Sequence, residues 1–189
     1  MVSFIAGVVL LFLGILLGLE LPDIDHQIPF LVHRSIVTHG FLIPLGVFLA
    51  IYKYRATPLR FFSMGFNLAT VTHLGFDLFP QAWVGFSLIY IPVWGRTHKI
   101  FSWVWISLSI IICFYLTFVL MRNLWDMALA SGSLGVTFGF YASTERTFWP
   151  VVIFLLLGMV LTLSLPSNGQ AILHKTLKPA DENDIFKHE

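Results

Sequence analysis

VSFIAGVVLLFLGILLGLELPDIDH, residues 2–26, joins an eighteen-residue apolar run to a glutamate, a proline and the tetrad D-I-D-H. A helix rises about 1.5 Å per residue and a bilayer's hydrocarbon core is about 30 Å thick, so roughly 17 to 25 apolar residues cross it. The run predicts a membrane helix over 2–19 that stops at Glu20 and Pro22. No basic segment precedes it and no A-x-A pattern follows, so it is expected to stay attached rather than be removed as a signal peptide.

The rest of the chain extends this reading. Of its 189 residues, 57% are hydrophobic and 11% charged, with a mean hydropathy of +0.84, too apolar for an ordinary soluble domain. No polar stretch before the C-terminal tail is long enough to fold a core of its own, so residues 1–165 form one membrane domain. The expected fold is all-α, a polytopic membrane bundle of about six transmembrane helices at approximately 2–19, 36–52, 61–79, 100–121, 124–142 and 147–165. The fifth window contains Asp126 and three glycines and is the weakest, although small residues let membrane helices pack closely. Between the third and fourth lies QAWVGFSLIYIPVWGRTHK, residues 81–99, broken by Gly85, Pro92 and Gly95. It reads as an interfacial or re-entrant aromatic loop, with Trp83, Tyr90 and Trp94 suited to the headgroup layer. Residues 166–189 form a polar tail.

With the N-terminus in the cytoplasm, Lys53, Arg55, Arg60, Arg122, Lys175, Lys178 and Lys187 face inward, and Arg34, Arg96, Lys99 and Arg146 face outward. The bias favours this orientation in a plasma or inner membrane, and losing the fifth span would move the C-terminus to the other side. A formal charge of +1, with no basic cluster beyond Lys53, Arg55 and Arg60, gives no footprint for nucleic acid. Membrane lipids are the expected partners; the sequence specifies no protein partner. Cys113 stands alone in an apolar run, so any metal must be held by nitrogen and oxygen.

This topology brings the end of helix 1, the start of helix 2 and the end of helix 3 to one side, the extracytoplasmic one. There lie Asp23, Asp25 and His26, then His33 and His39, then His73 and Asp77. His73 and Asp77 are four apart and share a helical face. His33 and His39 are six apart, about 600° of helical rotation, so at least one belongs to a loop. Pro22 and Pro29 bracket D-I-D-H and make it extended or turn-like. Any one of these groups is equally well explained as a water-boundary anchor, except Asp77 with His73, where the anchor reading is the weaker one. Their convergence from three segments favours a shared cation, because an ionisable group costs roughly 2.5 to 3.5 kcal/mol at the bilayer centre. Glu20 can orient a ligand or simply mark the boundary, His98 reads as an interfacial anchor, Asp126 receives no role, and His174 and His188 are solvated in the tail.

The series LPDIDH, HRSIVTHG and THLGFD, followed by the Pro- and Trp-containing loop, resembles the YdjM-like family of predicted membrane-bound metal-dependent hydrolases over approximately residues 15–100. By position, the family's D-x-D-H falls on Asp23, Asp25 and His26, its seven-position H-R-G-x-T-H-S on the run His33 to Gly40, which is one residue longer, and its H-x-x-x-D on His73 and Asp77. Ser35 replaces the usual glycine and Gly40 the usual serine. The resemblance implies a metal-dependent hydrolase, and imidazole with carboxylate suits zinc first, with manganese or iron also accepted, as one or two ions. Such an ion lowers the pKa of a bound water to about 7. Asp23 or Asp25 is then the candidate base. The Arg34 fork is suited to a phosphate or an oxyanion, or alternatively to a headgroup, Asp23 or Asp25. The expected substrate is a phosphoester, lipid-linked if the loop from Trp83 to Trp94 admits an acyl or prenyl chain. The alternative is a non-catalytic metal-binding membrane protein, an assembly factor or a transporter. Transport is disfavoured because, apart from Asn67, Thr70 and Thr72, the spans have few polar midplane groups and no evident pair of broken helices.

Overall fold

The computed structural model describes residues 2–28, 31–54, 57–144 and 149–163, which are mostly helical. The helices are α1 (Val2–Glu20), α2 (Leu42–Tyr54), α3 (Thr57–Asp77), α4 (Lys99–Leu120), α5 (Leu124–Thr144) and α6 (Pro150–Leu163). Pro29, Arg55, Arg146 and the tail, with Lys175, Lys178, Lys187, His174 and His188, lie outside the described residues. Among the described residues one helix, α4, is both long and apolar enough to cross a membrane.

Helix α3 is the axis of the bundle. It packs against α1 along most of its length and also touches α4, α5, α2 and α6. The approach to α1 is at backbone distance: a Cβ at Gly14 would fall 2.1 Å from the Phe62 carbonyl oxygen, and one at Gly65 would fall 2.3 Å from that of Leu11. Only glycine permits this, as in close-packed membrane helix pairs.

Polarity runs inside out. Ser63, Asn67, Thr70 and Thr72 of α3, Ser109 and Thr117 of α4, and Thr137 of α5 are fully buried. The threonines need no water, since Thr70, Thr72 and Thr117 donate to the carbonyls of Phe66, Leu68 and Cys113 at 2.9–3.0 Å. Conversely, Phe12 and Leu16 on α1, Trp103 and Ile111 on α4, Phe140 on α5 and Leu155 on α6 are exposed. At the start of α3, Arg60 donates to Asp126 at 2.6 and 3.2 Å and to the Leu120 carbonyl at 3.0 Å. Asp126, without a role on sequence grounds, thus ties α3 to the α4–α5 turn, and it also accepts from the Arg122 amide at 2.7 Å.

Two expectations need correction. The second helix begins at Leu42 rather than near 36, because Ser35 is drawn into a bridge with Tyr90, and the Ile36 and Tyr90 amides donate to the Tyr90 and Arg34 carbonyls at 2.8 Å. The fold is also not purely helical: the loop after α3 contains a short antiparallel hairpin, β1 (Tyr90–Ile91) with β2 (Gly95–Arg96). Its turn places Val93 at φ 75°, where a β-branched residue is strained, and leaves Val93 and Trp94 96% and 82% exposed. His98 caps α4 by accepting from the Ile100 amide at 3.3 Å.

Candidate metal centre

After α1, Pro22 starts a 3₁₀ turn, Pro22–His26, that sends successive side chains in different directions. Asp25 points inward and is 1% exposed, whereas the Asp23 side chain remains about half exposed, at 48%. The next segment wraps around Asp25, whose Oδ2 accepts from the Ser35 amide at 3.2 Å and from the Thr38 hydroxyl at 3.0 Å. The Thr38 and His39 amides return to the Ser35 carbonyl at 3.1 and 2.8 Å. These turns place both His33 and His39 in non-helical chain. The left-handed residue here is Arg34, φ 61°, so serine at position 35 carries no backbone strain of that kind.

His39 presents its two nitrogens to different acids. Nδ1 lies 3.2 Å from Asp25 Oδ2 and Nε2 lies 3.5 Å from Asp77 Oδ2. From the end of α3, His73 Nε2 reaches the same Asp77 oxygen at 3.4 Å. The rear of His73 is also held, with Nδ1 3.1 Å from the Leu19 carbonyl and in contact with the Tyr141 hydroxyl. If the protons sit on both Nδ1 atoms, both Nε2 lone pairs face Asp77 Oδ2, an arrangement that a cation between them would stabilise. The other oxygen of Asp77 accepts from Arg34 at 2.6 Å, and Arg34 also donates to the Ser87 carbonyl at 2.7 Å. Arg34 is 6% exposed. Its partner is Asp77, not Asp23 or Asp25, and the guanidinium serves to orient a carboxylate.

Burial would raise the Asp25 carboxyl, but the hydrogen bond and charge of His39, with the Ser35 amide and Thr38 hydroxyl, hold it well below the usual range. Burial, then repulsion from His39 and His26, lowers His33 against the opposing pull of Asp25 and Asp77. Both groups are therefore in their metal-binding forms at neutral pH.

The donors fit a cation. Three sets of ligand atoms each lie within 4.8 Å of one another: His39, His73 and Asp77; Asp25, His26 and His33; and Asp23, His33 and His39. All seven expected ligands are thus brought together. His39 Nε2, Asp77 Oδ2, Asp25 Oδ1 and His33 Nδ1 are buried without a hydrogen-bond partner among the described residues. Buried polar atoms are normally satisfied, so four orphans in one cluster call for a ligand. The separations of 3.4 and 3.5 Å at Asp77 are long for hydrogen bonds, yet close to the edge of a tetrahedron, roughly 3.3 Å when metal–ligand bonds are about 2.0–2.1 Å.

The composition of the cluster was readable from the sequence; its supports were not. Tyr141 and the Ser87 carbonyl carry no motif signal, and Tyr141 comes from α5, beyond the region of resemblance. Arg96, expected only as an outward-facing charge, donates to the His33 and Leu88 carbonyls at 2.7 Å and ties the hairpin to the site. Beside the cluster opens a cleft of about 490 Å³ lined by Asp25, His26, Ile28, Leu31, His33 and Phe86. No family model, curated protein or solved structure matches the chain.

Proposed function

We propose that this protein is a membrane-embedded metal-dependent hydrolase of the YdjM-like kind, acting at the membrane interface on a phosphoester or lipid-linked substrate. The observation that carries the reading is the convergence of His39 Nε2 and His73 Nε2 on Asp77 Oδ2, with the far side of every ligand anchored. Such backing by carboxylate and carbonyl is what fixes tautomer and direction in metal-binding histidines. Two imidazoles and one carboxylate with open positions suit zinc, and manganese or iron after it.

Bound there, the ion would polarise a substrate oxygen and activate water. The chain's own residues do the rest. Asp23, half exposed and 3.8 Å from His73 Nε2, is placed to accept a proton from that water, whereas Asp25 is committed to His39, Ser35 and Thr38. Arg34 holds Asp77 and the hairpin rather than the substrate. Ile28, Leu31 and Phe86 offer an apolar wall to a chain whose polar head lies over Asp25 and His33.

The membrane reading rests on α4, on the exposed apolar faces of α1, α5 and α6, and on the buried polar groups around α3. We place the helices across a plasma or inner membrane, N-terminus in the cytoplasm and site outside, with Val93 and Trp94 dipping into the headgroup layer.

The test is a phosphoester and phospholipid hydrolysis screen on purified, zinc-loaded protein in detergent. His73→Ala and Asp77→Ala are expected to abolish turnover while the helical circular dichroism is kept. Turnover unchanged in both would end the catalytic assignment, and metal bound without turnover of any such ester would favour the non-catalytic, assembly-factor reading.

A further inference from the structure

Arg34 is committed to Asp77 and the Ser87 carbonyl, so the guanidinium that the sequence singled out for a phosphate is not free to hold one. Arg96, half-buried beside the same cleft, is built differently. Only its Nη1 is engaged: it donates to the His33 and Leu88 carbonyls at 2.7 Å and lies 3.5 Å from that of Phe86. Its Cζ is 5.3 Å from the Phe86 ring centroid and 5.7 Å from that of Tyr90, so aromatic faces steady the guanidinium as well. Arg34 and Arg60 pair with Asp77 and Asp126, whereas Arg96 has no carboxylate partner among the described residues. Nε–H and one Nη–H of a guanidinium form the edge that meets two oxygens of a phosphate at once. In Arg96 that edge is left over after the carbonyls have fixed the group, and two of the residues that fix it, His33 and Phe86, line the cleft.

We propose that Arg96 receives the substrate's phosphate group, holding two of its oxygens through Nε and Nη2, while an attached apolar chain lies along Ile28, Leu31 and Phe86. The inference rests on the hydrolase reading and deepens it by naming the part of the substrate that is recognised and the residue that recognises it. The cleft calls for such a cation, because the buried Asp25 carboxylate lines it and repels an arriving phosphate. Lysine at this position could anchor to the carbonyls but offers a point charge instead of the fork.

The experiment uses the full chain in detergent. Calorimetry on chelator-treated protein compares dihexanoyl phosphatidic acid, dihexanoylglycerol and inorganic phosphate, and kinetics on zinc-loaded protein follow a soluble phosphoester. The phosphatidic acid is expected to bind more tightly than the other two, and Arg96→Lys to weaken it roughly tenfold or more, with a matching rise in KM, little change in kcat and unchanged zinc affinity. Inorganic phosphate binding as tightly and equally dependent on Arg96 would keep the phosphate site and assign it to soluble esters. Phenylglyoxal labelling of wild type, mapped by mass spectrometry, reads the same contact without a variant: the phosphatidic acid should protect Arg96. Equal labelling with and without it, or equal affinity for the phosphatidic acid and the neutral glyceride, overturns the proposal. Phosphoester turnover with KM unchanged in Arg96→Lys overturns it too and leaves the hydrolase standing, whereas Arg96-dependent binding without turnover of any ester retires the hydrolase and keeps the phosphate site.

Discussion

Asp25 meets His39 on the imidazole nitrogen opposite the one that faces Asp77, Oδ2 to Nδ1 at 3.2 Å. A carboxylate so placed raises the basicity of the ring and sets its direction. Asp25→Asn keeps the shape but removes the charge, and is expected to weaken metal binding by roughly 10- to 100-fold. Competition against a chromophoric chelator measures this; an unchanged affinity would show that Asp25 does not support His39.

Tyr141→Phe deletes the hydroxyl at His73 Nδ1 but leaves the ring against Phe76 and the Leu19 carbonyl as acceptor. The fold is expected to remain, with metal affinity reduced by less than in Asp25→Asn. A loss equal to that of His73→Ala would show that the hydroxyl, and not the Leu19 carbonyl, holds the ring in place.

At the other end of α3, Asp126→Ala would strand the buried Arg60 guanidinium. Breaking a buried pair by removing one partner costs about 3–5 kcal/mol, while replacing both partners with apolar groups is often neutral. Thermal unfolding in detergent should therefore show a large drop for Asp126→Ala and substantial recovery in the double variant Arg60→Met with Asp126→Leu. Equal stability of the single variant and wild type would remove the pair from the list of supports.

Gly14→Ala brings a methyl to 2.1 Å from the Phe62 carbonyl oxygen, whereas Gly46→Ala meets nothing within 4 Å. Overpacking of this kind costs about 1–3 kcal/mol. The expected result is a lower unfolding temperature for the first and none lower for the second, and the reverse order would contradict the α1–α3 packing.

The helical character and the clustering of His and Asp side chains were legible because each has a local signature: apolar runs of membrane length, and D-x-D-H, H-x-x-x-D and paired histidines at their boundaries. The start of α2 was not, since apolar periodicity continues through Ile36 and Val37 while the backbone there is claimed by Tyr90, far along the chain. The partner of Arg34 was not legible for a similar reason. It lies beside His33, a candidate ligand, but its guanidinium reaches Asp77, 43 residues away. The glycines of α1 look like ordinary members of an apolar stretch until Phe62 and Phe66 lie against them. Membrane-length runs also overstate regular crossing at α2, which starts only at Leu42.

Helix α3 is fastened by charge at both extremities, Arg60 to Asp126 and Asp77 to Arg34. The seventeen residue steps between positions 60 and 77 therefore act as a ruler about 26 Å long. Adding or deleting one residue inside it would swing His73 and Asp77 through about 100° relative to Arg60 and shift them by about 1.5 Å along the axis. A residue inserted or deleted within this interval is accordingly expected to disable the site, and one at the hairpin tip to be tolerated, since nothing is being measured there.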